Sequence, residues 1–149
     1  MEAKVLLCLT LLGAVLVSGC AVSSTPIPVS PYVKTQVLAY SDPIANGIMT
    51  GLNSGDYTIF SSSFSTQLKT RITTDQFSQM LSVYRSSIGK FVSWSGAAEV
   101  MEVGDSYSAT YTAQFTDDAP VTMTLIFKKS GDHMVEQLSI SARKISGRI

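Results

Sequence analysis

Residues 106–115 read SYSATYTAQF, and their alternation decides the fold class. Tyr107, Ala109, Tyr111, Ala113 and Phe115 share one parity, while Ser106, Ser108, Thr110, Thr112 and Gln114 share the other. Successive side chains on a strand point to opposite faces, so this stretch is a strand with one apolar and one hydroxyl-rich face. The pattern repeats downstream, with Val121, Met123, Leu125 and Phe127 set against Thr122, Thr124 and Lys128. Met134, Leu138, Ile140 and Ala142 supply a third set. Lys90 to Val103 reads as a less regular earlier strand, in which Gly96 marks a bulge that changes the inward parity. Gly104-Asp105, Asp117-Asp118-Ala119-Pro120 and Ser130-Gly131-Asp132 are the turns. The second half is therefore a four-stranded antiparallel meander.

Upstream the period lengthens to that of a helix. Ser41-Asp42-Pro43 places a capping side chain before a first-turn proline, a helix start. Ile44, Ile48 and Leu52 follow at four-residue spacing with Met49 beside them, and Gly55 ends the run. Val37, Leu38 and Tyr40 leave open a helix that begins earlier and bends at Pro43. Tyr57, Ile59, Phe60 and Phe64 mark a short second helix. In the third, Thr73 and Gln76 form a capping box, Phe77, Met80, Leu81, Tyr84 and Ile88 form one stripe, and Gly89 closes it. Helices followed by strands predict an α+β domain, with about three helices packed on one side of a curved four-stranded sheet.

The N-terminus has a different composition. The apolar run VLLCLTLLGAVLV (5–17) is shorter than the ~20 residues a membrane span needs and fits the core of an export signal. It ends in Val17-Ser18-Gly19-Cys20, which resembles the lipobox of prokaryotic lipoproteins. That resemblance implies loss of residues 1–19, lipid on Cys20 as the new first residue, and an extracytoplasmic place on the cell membrane or outer membrane. The other reading is a plain signal peptide with an incidental cysteine. Cys8 would leave with the leader, so the mature chain would keep Cys20 alone and could form no internal disulfide. One cysteine and one histidine, His133, cannot supply a four-ligand structural zinc site. One acyl chain holds a protein only marginally, at about 0.8 kcal/mol per buried CH₂; the two or three chains the resemblance implies hold it stably. Residues 20–31 then read as a Pro/Ser-rich tether, AVSSTPIPVSP after the cysteine, with a reach of at most ~35 Å. Residues 32–149 remain for a single domain.

Lys+Arg and Asp+Glu are both 11, so the net charge is zero and no basic stripe exists for nucleic acid. No glycine-rich phosphate loop is present, and no cofactor is indicated. DPIANGIMTGLNSGDYTIFSSSFSTQLK (42–69), TTDQFSQMLSVYRSSIGKF (73–91) and the strands after them resemble a nuclear transport factor 2-like domain. More narrowly, they resemble a small prokaryotic family of unknown function found in secreted or lipid-anchored proteins. The similarity rests on Gly55-Asp56-Tyr57, Phe60, Phe64, Gly89 and the final hairpins, and covers residues 40 to 143. It implies a cone-shaped fold and pairing of two copies through the sheet. The larger enzymes of that superfamily carry a strand or hairpin between the early helices; its absence here implies a shallower cone.

The candidate site residues follow from these placements. Strict alternation turns Glu136 inward between Met134 and Leu138, where a carboxylate would lose water and suit acid/base work in a small hydrolase or isomerase. A one-residue bulge would cancel that. His133 falls past a turn on the polar parity and reads as solvated. Asp56 reads as a cap, Ser61-Ser62-Ser63 as a turn without a base partner, and Asp117-Asp118 as a hairpin turn rather than a cation site. Tyr84, Trp94, Tyr107 and Tyr111 are either core or the lining of a concave ligand pocket. The charge-poor Ser/Thr face offers a surface to a second copy or an envelope protein. Three readings stand: a lipid-anchored binding module, a small enzyme, or a structural envelope protein.

Overall fold

The computed structural model describes residues 25–117 and 120–142. The proposed leader (1–19), Cys20, the first part of the tether, Asp118 of the expected turn and the end of the resemblance at 143 lie outside the described residues. Helices α1 (Pro31–Ser54), α2 (Tyr57–Phe60), α3 (Thr66–Arg71) and α4 (Thr74–Ser87) precede most of an antiparallel sheet, so the domain is α+β. No helix among the described residues is long and apolar enough to cross a membrane.

Helix α1 starts a full three turns before Asp42-Pro43. Ser30 caps it, accepting from Val33 N at 3.3 Å, with Pro31 in the first turn. Ser30-Pro31 carries the same capping chemistry as Asp42-Pro43, and only the contacts of the extra turns decide between them. Val37 and Ser41 are buried along with Ala45, Ile48, Met49 and Leu52, so the helix continues through Pro43. An interior proline removes a hydrogen bond and costs about 3 kcal/mol, which the buried face offsets. Gly55, at φ 76°, ends α1 in the left-handed conformation that glycine adopts without strain. Gly51 lets α2 close on α1: a Cβ there would stand 2.5 Å from Phe60 Cα. Asp56 caps α2 through Thr58 N and Ile59 N, and the Thr73–Gln76 capping box opens α4. Ser61–Ser63 form the turn, and α3 after it has no counterpart in the sequence reading.

The sheet holds β1 (Ile27–Pro28), β2 (Phe91–Trp94), β3 (Glu99–Val103), β4 (Ser106–Phe115), β5 (Val121–Lys128) and β6 (Val135–Ser141). That is six strands among the described residues where four were expected. The order is β1-β3-β4-β5-β6, with β2 also on β4. The stretch expected as one strand bulged at Gly96 is two. β2 pairs with the C-terminal end of β4 and β3 with its N-terminal end, leaving a break at 95–98. Ile27 and Pro28, expected in the tether, instead pair with Glu102 and Met101 and belong to the sheet.

A register shift in β6 corrects the placement of Glu136. Gln137 faces Ile126, but Val135 faces Phe127, so Glu136 is the extra residue of a bulge. Val135 is fully buried, and Phe64 bridges to it from the turn before α3. The Glu136 side chain keeps 21 % of its surface exposed and stands 3.7 Å from Lys128 Nζ. Beneath the sheet, Met123, Leu125 and Phe127 pack with Phe60, Phe64, Phe77 and Ile88 into one core.

Candidate functional site

A cleft of about 330 Å³ opens where the strand breaks. One wall is α1, whose Leu38, Asp42 and Asn46 recur every four residues and so share a line along the helix. The facing wall is Gly96, Ala97 and Ala98 of the β2–β3 connection, with Trp94 and Tyr111 between the two. Asn53 positions the walls: its side-chain amide donates to Phe91 O and accepts from Phe91 N, both at 2.9 Å, tying the end of α1 to the start of β2.

The polar groups form two short chains. Trp94 Nε1 donates to Asn46 Oδ1 at 2.7 Å. Tyr111 Oη donates to Asp42 Oδ1 at 2.8 Å and lies 2.7 Å from Ser41 Oγ. A phenol has one proton; the carboxylate takes it, so the buried Ser41 hydroxyl donates to the phenol oxygen. Burial pushes the Tyr111 phenol well above its ordinary range, and the Asp42 charge adds to the effect. Tyr111 is thus a neutral donor held on Asp42. The Trp94 and Tyr111 rings meet at 5.1 Å between centroids with a 47° tilt, and Phe91 backs Trp94 at 4.8 Å.

Of the four aromatics singled out from the sequence, two line the cleft. Tyr84 is buried in the core, where desolvation raises its phenol to about 12. Tyr107 lies four residues from Tyr111 on β4, about 13 Å along a strand. There it pairs with Phe127 and lies under Lys129, whose Nζ is 5.6 Å from the ring and 2.6 Å from Glu102 Oε1. Glu136 is not among the cleft residues. His133 is not solvated as expected: it is half-buried at φ 52° and stacks on Tyr40 at 4.2 Å with the rings 3° from parallel. Its Nδ1 and the Tyr40 hydroxyl are buried without a hydrogen-bond partner. The bulge at Glu136 explains the miss, since alternation counted back through it inverts.

Asp42 and Asn46 were not read as site residues, because Asp42 looked like a cap. Their four-residue spacing with Leu38 is the signal that would have found them, once α1 is known to begin at Pro31. Among the described residues no group of three His, Cys, Asp or Glu could hold a metal ion. The hydroxyl parity forms a continuous array: Thr110 Oγ1 meets Thr124 Oγ1 at 3.2 Å, and Ser139 and Ser141 face Thr124 and Thr122.

An antiparallel sheet packed with four helices, with a small open aromatic cleft between α1 and the sheet, defines the class of protein that the described residues form. Protein-family models, curated proteins and solved structures all give no match to the chain.

Proposed function

We propose that this chain is a lipid-anchored extracytoplasmic binding module, built on a nuclear transport factor 2-like cone, whose ligand site is the cleft between α1 and the β2–β3 break. The carrying observation is the meeting of Trp94, Tyr111, Asp42 and Asn46 in one concavity. Small-molecule sites combine apolar walls with a few placed polar groups, and this cleft lies near the lower end of the roughly 300–1,000 Å³ range of such sites. The order of helices and strands supports the cone. The enzyme reading needed Glu136 enclosed, and its pairing with Lys128 does not support that. The hydroxyl face, which carries Glu99 opposite Thr110 and Lys128 opposite Ser106 but is otherwise poor in charge, is the surface this reading gives to a second copy.

The anchor rests on VLVSGC. Since the sheet begins at Ile27, seven residue steps separate it from Cys20, a reach of about 22 Å. The domain therefore works close to the lipid surface. Feeding a labelled fatty acid to cells expressing the full chain tests the anchor: label and membrane retention are expected in wild type and lost in Cys20→Ser. Retention of both in the variant refutes it. Trp94 is the chain's single tryptophan, so its fluorescence reports on the cleft alone. A library of small polar molecules should yield saturable changes, and a library without any refutes the binding reading.

A further inference from the structure

Resting on that binding reading, we infer that the cleft takes a small organic cation, an alkylated or quaternary ammonium, rather than a neutral polyol or an anion. The inference comes from counting which groups remain free to meet a ligand. Among the described residues, Asp42 is the one charged side chain lining the cleft. Neither ion pair among the described residues involves it. Its Oδ1 accepts from Tyr111, and Asp42 is exposed, with no hydrogen bond to Oδ2 among the described residues. The Trp94 N–H is engaged by Asn46 Oδ1, and the Tyr111 hydroxyl by Asp42 and Ser41. Two side-chain polar groups are left, the Asp42 Oδ2 acceptor and the Asn46 Nδ2 donor.

A sugar brings four or five hydroxyls, and those beyond the reach of these two groups would lose water without gaining a partner. A phosphate or carboxylate would meet a carboxylate with no cation beside it. An alkylammonium has the reverse requirements. Its charge needs one anion and electron-rich ring faces, and its methyl groups need apolar walls. Asp42, the partly exposed Trp94 ring with the buried Tyr111 ring packed behind it, and Leu38, Ala97 and Ala98 supply these.

The test is titration of the full chain with choline and tetramethylammonium, read by Trp94 fluorescence. The uncharged isostere 3,3-dimethylbutan-1-ol and glucose serve as comparisons. Saturable binding of both cations is expected, at least tenfold tighter than the isostere and weakened by added salt. Asp42→Asn keeps an acceptor for Tyr111, so its thermal melt should stay near wild type while cation affinity drops at least fivefold. If the isostere or glucose binds as well as choline, or if Asp42→Asn binds choline unchanged, the cation inference falls and the cleft reading stands. If no probe, charged or neutral, changes the fluorescence, both fall.

Discussion

Replacing Tyr111 with phenylalanine deletes one oxygen and keeps the ring. That oxygen meets Ser41 Oγ at 2.7 Å and Asp42 Oδ1 at 2.8 Å. Asp42 is exposed, so water replaces the lost donor there, for a net loss of about 1 kcal/mol. Ser41 is fully buried, and its hydroxyl loses its acceptor. A stranded buried hydroxyl costs about 1–3 kcal/mol, toward the low end where it turns back to the carbonyl one helical turn earlier. The total is about 2–3 kcal/mol, or roughly 10 °C in Tm for a domain of this size. Ser41→Ala removes the stranded group and leaves Tyr111 on Asp42, at about 1 kcal/mol. The double variant should then be more stable than the sum of the single effects implies, by about 1 kcal/mol. Urea unfolding of the four proteins, with equal slopes, measures this. Additivity to within about 0.5 kcal/mol would refute a shared buried bond between α1 and β4.

Two further outcomes bear on the register and the core. The bulge ranks Val135 above Glu136: Val135→Ala should cost about 2 kcal/mol, while Glu136→Ala, which loses an ion pair with an exposed lysine, should change stability by less than about 0.5 kcal/mol. The opposite ranking in urea unfolding would restore strict alternation. Tyr84 ionises near 10 when unfolded and near 12 when folded, so the unfolded state releases its proton first as pH rises through that window. Stability should therefore be intact below about pH 10 and fall above it, by about 2–3 kcal/mol at pH 12 from this group. Tyr84→Phe should remove that part of the alkaline slope, and an unchanged slope counts against the buried phenol.

The residues explain which parts were legible. The alternation of SYSATYTAQF and VTMTLIFK held because both strands are regular and one face is buried along their length. Thr73–Gln76 held because a capping box is a local bond. The start of α1 stayed open between Asp42-Pro43 and an earlier onset, because Ser30-Pro31 and Asp42-Pro43 offer the same local chemistry, and the structure takes the earlier one. Glu136 failed because nothing local marks a bulge. Its place is decided by Phe127 and Phe64, which need Val135 opposite them. Trp94 and Tyr111 were visible as aromatics, but their separation from Tyr84 and Tyr107 was not.

By itself the sequence determined that helices precede the main strands and which faces of β4 and β5 are apolar, since these follow from periodicities within a few residues. It also carries the whole case for Cys20 as the anchor. Only the tertiary structure decided that Lys90 to Val103 breaks in two, that Ile27 and Pro28 join the sheet, and that Asp42 faces Tyr111 across 69 positions. The reason is that a cleft is made by groups distant in the chain. Where two local arrangements cost the same, the choice falls to whichever distant side chain must be buried or bonded.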